Sequence, residues 1–181
     1  MKDLLKKIPF ATNIVRAVRK LRGITPDDLK IEYYAKKRDA DIRHYLQNND
    51  AKRLQIGCQD HPMKGWLNAD ISPMHDEVIL MDATKRFPLP DNTFDTVFSE
   101  HMIEHIGFPE GQFMVNECYR IMKPGAVIRL STPDIKFLIE LYREPKTEIQ
   151  QQYIDFSKRY FGDNRPMIDT IVINNFFRDW G

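Results

Sequence analysis

The sequence predicts an α/β protein built on a doubly wound, mostly parallel sheet. Two observations carry that prediction. Apolar runs of strand length recur at 53–58, 66–71, 78–82, 94–99 and 126–131, separated by turn residues and by stretches of helical character, the alternation from which parallel sheets are built. Asp70, Asp82 and Asp95 each close or follow such a run. Open α/β sheets bind ligands in the crevice outside their strand ends, and an acid ending the second strand takes both ribose hydroxyls through charge-assisted hydrogen bonds. Carboxylates so spaced point to a nucleoside-type cofactor.

The elements follow in order. Gly23 to Pro26 punctuates the end of a basic N-terminal segment. Residues 27–47 then carry Leu29, Tyr33, Ile42, Tyr45 and Leu46 among many charges, the pattern of a surface helix. Asn48-Asn49-Asp50 turns the chain into the first strand, which ends in the Gly57-Cys58 turn. The next strand opens at Trp66, too soon for the dozen or more residues of an ordinary parallel crossover. That first crossover must be a tight loop or a single turn, and His61, Pro62 and Gly65 agree. Val78 to Asp82 makes the third strand and Phe94 to Ser99 the fourth, introduced by the turn-rich Pro88 to Asn92. A helix from about Pro109 to Met122 has Phe113, Val115, Cys118, Tyr119 and Ile121 or Met122 available for burial, and Lys123-Pro124-Gly125 stops it. Ala126 to Ser131 is the fifth strand. Residues 135–160 read as helical with a break near Glu144-Pro145, and Met167 to Trp180 is apolar and aromatic.

A chain of 181 residues suits one well-buried domain. Its formal net charge of +1 gives no global reason to bind nucleic acid. Residues 1–22 hold seven Lys/Arg against Asp3 alone, so the remainder is net acidic and nucleic acid is not an expected partner. The segment 1–25 reads as a basic amphipathic arm. It lacks the apolar core and cleavage site of a signal peptide and is too short to span a bilayer, so its strongest membrane role is a weak surface contact through residues 1–22. Cys58 and Cys118 have neither disulfide-framework nor zinc-knuckle spacing, which makes a reducing cytoplasm the expected location. Nothing in the composition names an oligomeric state.

Six segments occur in a telling order: Leu54-Gln55-Ile56-Gly57-Cys58, Gly65-Trp66-Leu67-Asn68-Ala69-Asp70, Asp82, Phe87-Pro88-Leu89-Pro90-Asp91-Asn92-Thr93-Phe94-Asp95, Glu100-His101-Met102-Ile103-Glu104-His105, and Arg120-Ile121-Met122-Lys123-Pro124-Gly125-Ala126. Together they resemble the class I S-adenosylmethionine-dependent methyltransferases, most nearly the methyltransferase type 11 group and its short-loop members that accompany sugar and glycan biosynthesis. The resemblance runs from Leu54 to Asp134. It implies a Rossmann-like methyltransferase fold, S-adenosylmethionine as cofactor, and a cofactor half at 50–134 within a methyltransferase domain at 26–181. It further implies that Gly57, with Cys58, lets the backbone approach the methionine part of the cofactor, since a side chain there would collide. Asp70, beside Ile71, would take the ribose hydroxyls. Asp82 with Ala83 would lie by the adenine, and Ser99 and Glu100 near the methylsulfonium. Two departures stand out. The family usually has a glycine after the cysteine, where this chain has Gln59; the side chain either narrows the cofactor pocket or points outward. The family's sheet is completed by an antiparallel strand pair after the fifth strand, and here Phe176-Phe177-Arg178-Asp179-Trp180-Gly181 is where the sequence stops. Without that pair the fifth strand is an edge that needs cover, from a partner chain or otherwise.

His101-x-x-Glu104-His105 matches the inverted zincin pattern, but it follows a strand instead of sitting in a protease-type helix, and no metal is expected. General-base chemistry is the plainer use. Transfer of a methyl group from sulfonium to a hydroxyl needs in-line positioning and removal of one proton, and His101 or His105, held by Glu104, is suited to take it. The expected function is therefore methylation, on oxygen, of a small-molecule or glycan-type acceptor. The alternative is a catalytically silent methyltransferase-like binding module. A nicotinamide-dependent oxidoreductase on a similar sheet is the third reading, and the sequence counts against it: no glycine follows Gly57 until Gly65, so the expected G-x-G-x-x-G opening is missing.

Overall fold

The computed structural model describes residues 25–161 together with Asp169, Thr170 and Ile173. The basic arm and most of the apolar C-terminal stretch lie outside the described residues. Helix α1 (Pro26–Asn48) is followed by β1 (Arg53–Ile56), β2 (Leu67–Asp70), β3 (Val78–Leu80) and β4 (Phe94–Glu100). A single 3₁₀ turn (Ile103–His105), α2 (Phe108–Ile121), β5 (Met122–Ser131), α3 (Ile135–Glu140) and α4 (Glu148–Phe161) complete the order. The five strands are parallel and lie in the order β3-β2-β1-β4-β5. The direction of winding therefore reverses between β1 and β4, where a doubly wound sheet opens a crevice.

Helix α1 begins at Pro26, with Thr25 as its N-cap. The Thr25 hydroxyl accepts from the Asp28 N–H at 3.1 Å and the Asp28 carboxylate accepts from the Thr25 N–H at 2.8 Å, a reciprocal cap that satisfies two end donors. Tyr34, Ile42 and Tyr45 turn inward, whereas Tyr33 is exposed. Tyr45 also fixes the base of the sheet: its hydroxyl donates to the Arg53 carbonyl at 2.9 Å and accepts from the Arg53 N–H at 2.8 Å.

One face of β1, β2 and β4 presents Leu54, Ile56, Leu67, Ala69 and Val97 to Met114, Cys118 and Ile121 of α2, with Phe87, Leu89 and Phe94 closing the core. Each large side chain fully buried there contributes about 1.5–3 kcal/mol. The opposite face is handled differently. Between Gly57 and Trp66 no helix forms, so a loop crosses the sheet and its backbone polar groups need partners. Gln55 and Asn68, buried polar residues of β1 and β2, supply them. The Met63 N–H donates to Asn68 Oδ1 at 2.9 Å and to Gln55 Oε1 at 3.0 Å, Asn68 Nδ2 donates to the carbonyls of Met63 and Trp66, and Gln55 Nε2 donates to the His61 carbonyl. Two amides thus do what an amphipathic crossover helix does elsewhere.

Helix α2 packs with a different phase from the one expected. Gly111, Met114, Glu117, Cys118 and Ile121 are buried, while Phe113 and Val115 are exposed and Tyr119 is 84% exposed. The reason is Glu117. Its carboxylate accepts the Phe87 N–H at 2.8 Å and forms a two-pronged pair with Arg120, whose Nε and Nη2 lie 2.8 and 2.6 Å from the two oxygens. Arg120 also donates to the Phe87 and Leu89 carbonyls and to Asp91. This pair explains why Phe87 to Asp91 and Arg120 travel together in the sequence: the guanidinium is the hub of the β3–β4 connection.

Among the described residues no antiparallel strand follows β5, whose only partner there is β4. Val127 is 62% exposed, and Ile128 and Leu130 are also open, the edge the sequence anticipates. Leu138 of α3, Leu141 just after it and Ile154 of α4 form a second, smaller cluster with Ile173. No described helix is long and apolar enough to cross a membrane.

Candidate active site

The strand ends around the reversal point enclose a cleft of about 330 Å³. Ile56, Gly57 and Gln59 come from β1 and its turn, Asp70 and Ile71 from β2, Met81 to Thr84 from the end of β3, and His101, Met102, His105 and Ile106 from the segment after β4. Asp70 is 8% exposed and held from both sides: Oδ2 accepts the Gln59 N–H at 2.9 Å and Oδ1 the Ser72 N–H at 2.8 Å. Each carboxylate oxygen keeps a further lone pair for a ligand hydroxyl.

Asp82 serves the loop that follows it. Its Oδ1 accepts from the Thr84 N–H at 2.9 Å and the Thr84 hydroxyl at 2.7 Å, and Oδ2 pairs with Lys85 at 3.0 Å. The Thr84 hydroxyl, foremost, holds the Asp82 carboxyl below the usual carboxylate range. The turn so fixed presents Ala83 to the cleft.

Gly57 shows why its position is reserved. Its φ is +71°, and a Cβ there would stand 2.5 Å from Met102 Cγ and 2.9 Å from Met102 Cβ. No side chain fits. Gln59 and His101 also adopt left-handed backbone, with φ of 47° and 49°, a conformation that costs a non-glycine residue about 1–3 kcal/mol and that collects at functional sites. The turn at His101 swings Met102 over Gly57 and brings His101 and His105 into the cleft wall. His101 Nδ1 lies 3.1 Å from Glu104 Oε1. Glu104 is mostly buried, and its second oxygen has no hydrogen-bond partner among the described residues.

The expected residues thus divide. Gly57, Asp70, Ile71, Asp82, Ala83, His101 and His105 line one cleft, and Glu104 stands behind His101. Cys58, Ser99 and Glu100 are not among the lining residues. Cys58 is buried with its thiol pushed up to about 12 by burial, Ser99 is buried beneath the strand end, and Glu100 faces solvent. Sequence reasoning passed over Met102 and Thr84 as site residues, because their roles come from packing and from a turn that spacing alone does not show.

The lining includes two acids and two histidines but no lysine or arginine. An acidic cleft floored by a glycine backbone fits a nucleoside that carries a positive charge, and S-adenosylmethionine is such a molecule. The sequence matches the methyltransferase type 11 family, a methyltransferase domain, over residues 35–130, just over half of the chain. The chain belongs to that family. Its members use S-adenosylmethionine as methyl donor, and the residues of the cleft suit it.

A "Probable S-adenosylmethionine-dependent methyltransferase" of Mycolicibacterium smegmatis is 45% identical over 47 residues, 26% of this chain and 18% of that protein. The matched stretch is thus less than a fifth of that relative's length. Among solved structures, an S-adenosylmethionine-dependent methyltransferase from Archaeoglobus fulgidus overlaps 72% of this chain and 67% of its own, at 22% identity and a TM-score of 0.41. Haemonchus contortus phosphoethanolamine N-methyltransferase 2, solved with phosphomonomethylethanolamine and S-adenosylhomocysteine, overlaps 80% of this chain and 47% of its own, at 15% identity and a TM-score of 0.39. The methyltransferase fold of this chain rests on its strand order and the family match, not on these overlaps.

Proposed function

We propose that this methyltransferase-family chain moves a methyl group from S-adenosylmethionine to a hydroxyl of a small-molecule or glycan-type acceptor, with His101 as the base. The observation that carries this reading is the His101–Glu104 contact of 3.1 Å in the wall of the cleft that holds Asp70 and Asp82. Bound S-adenosylmethionine supplies an electrophilic methyl on sulfonium, which leaves as the neutral thioether. The chain's part is to hold the ribose through Asp70, hold the adenine beside Asp82 and Ala83, and take the acceptor's proton. With Nδ1–H directed at Glu104, the neutral ring carries its acceptor lone pair on Nε2. His105 shares the wall and would position the acceptor. The transfer as written calls for no metal.

Rates with a panel of hydroxylated sugars and small molecules test the reading. His101→Asn should lower kcat by about 10²–10⁴-fold while S-adenosylhomocysteine still binds. Glu104→Gln should lower it less. His101→Asn within threefold of the wild type would refute the assignment. The silent-module alternative rests on Gln59 occupying left-handed backbone in the cleft wall; a folded chain that binds no S-adenosylhomocysteine would favour it. The cytoplasm is the proposed location, with a weak membrane-surface contact through residues 1–22.

A further inference from the structure

A second cavity, a groove of about 690 Å³, adjoins the cofactor cleft and has no part in the chemistry described so far. The 3₁₀ turn and the residue after it stand between the two: Ile103 lines the groove, His105 lines the cleft, and Ile106 lines both. The other wall is the start of α2, where glycine explains the hollow. Gly107 caps the helix and Gly111 lies one turn on, so neither sends a side chain into the space. Ile103 passes close over the helix there, since a Cβ on Gly111 would stand 3.5 Å from Ile103 Cγ1. Phe108 and Val115, two turns apart on one face of α2, line the same groove and are 78% and 40% exposed.

The chemistry of the lining limits what fills it. Ile103, Ile106, Phe108 and Val115 are apolar, Gln112 and Asn116 are neutral amides one turn apart, and no lining residue is charged. Glu110 lays its carboxylate against Gly107. A phosphate or carboxylate ligand would therefore meet a like charge and find no cation in the lining. Apolar walls with a few neutral polar groups, in a volume of this size, suit the hydrocarbon part of a small molecule. Continuity with the cleft decides which molecule. A ligand that leaves the groove past Ile106 meets the wall that carries His101 and His105. We propose that the groove holds the hydrocarbon end of an amphipathic acceptor, an alkyl or prenyl-type chain, while the hydroxylated head of that acceptor lies in the cleft at His101. This rests on the acceptor reading proposed above and deepens it.

Alkyl β-glucosides with methyl, butyl, hexyl and octyl chains, each kept below the concentration at which it forms micelles, probe the groove on the full chain with S-adenosylhomocysteine present. Methyl-labelled isoleucine and valine report the place of binding by NMR. Affinity should rise with chain length, by up to about fourfold for each methylene buried. The methyl signals of Ile103, Ile106 and Val115 should shift with octyl glucoside and not with methyl glucoside. Val115→Asp puts a charge into the groove at an exposed helix position, where a substitution leaves the fold intact. It should weaken octyl glucoside about tenfold or more and flatten the dependence on chain length. S-adenosylhomocysteine should stay within about twofold of its wild-type affinity. Ile149→Asp, the same change at an exposed position of α4 outside the groove, should alter neither. Affinity that ignores chain length, or shifts confined to Ile135 and Ile139 on α3, would overturn the inference and leave the His101 assignment standing. A wild-type dimer that Val115→Asp dissociates, seen by sedimentation, would give the groove to a second copy of the chain and also overturn it. Octyl glucoside seated in the groove of a chain whose methyl transfer is unaffected by His101→Asn would overturn the proposed base and leave the ligand class of the groove intact.

Discussion

Replacing Arg120 with alanine should destabilise the fold far more than an ordinary change on a helix. Arg120 and Glu117 form the hub of the β3–β4 connection, and their side chains are only 17% and 9% exposed. Truncating Arg120 leaves the Glu117 carboxylate in the core with only the Phe87 N–H, and it strips the Phe87 and Leu89 carbonyls of a donor. Breaking a buried pair from one side costs about 3–5 kcal/mol. For a domain of this size that is a fall of roughly 6–20 °C in Tm. Chemical denaturation followed by circular dichroism reads the free energy directly. The pH dependence has a fixed sign. The Arg120 guanidinium, ahead of other causes, holds the Glu117 carboxyl below its ordinary range. The pair's contribution is therefore complete above the unfolded value of about 4.3 and fades as pH falls through the lower folded value. The gap between wild type and Arg120→Ala should be constant from pH 7 down to about pH 5 and should narrow toward pH 3. A loss under about 1 kcal/mol at neutral pH would mean a solvated surface pair and would refute the argument.

Two more predictions test the elements that shape the cleft. Asn68→Ala should cost about 1–3 kcal/mol by orphaning buried backbone groups of the crossover loop, and amide exchange at Met63 should accelerate; unchanged exchange there would show that the loop is held by something else. Gly57→Ala should cost about 1–3 kcal/mol through the left-handed backbone and the Met102 contact, and should weaken S-adenosylhomocysteine; adding Met102→Ala should recover part of the stability but not the backbone strain, and no recovery would place the whole effect in the backbone.

Much of this architecture is legible in the sequence. The five strands stand out as short apolar runs between turn residues, and the closeness of Gly57 to Trp66 announces a crossover without a helix. What holds that crossover is not legible, because Gln55 and Asn68 look like solvent-facing positions until the loop they bind is seen. The phase of α2 was obscured for a related reason. Apolar residues surround the helix, and Glu117 interrupts the buried stripe only because Arg120 neutralises it. In the cleft, Asp70, Asp82 and Gly57 follow from strand-end spacing, while the reach of Met102 and the left-handed turns at Gln59 and His101 are backbone facts that no spacing rule encodes.

The central claim is that the cleft between Asp70 and Asp82 binds S-adenosylmethionine, and titration of the full chain with S-adenosylhomocysteine tests it most directly. The wild type should bind in the roughly micromolar range. Asp70→Ala should lose about 100-fold or more, as expected when charge-assisted hydrogen bonds to the ribose are removed. Asp95→Ala, at the far end of the sheet where Asp95 holds Lys52 and Lys123, should keep wild-type affinity. Asp70 also anchors Gln59 and Ser72, so a melt of Asp70→Ala accompanies the titration. A folded Asp70→Ala that binds as tightly as the wild type would contradict the account.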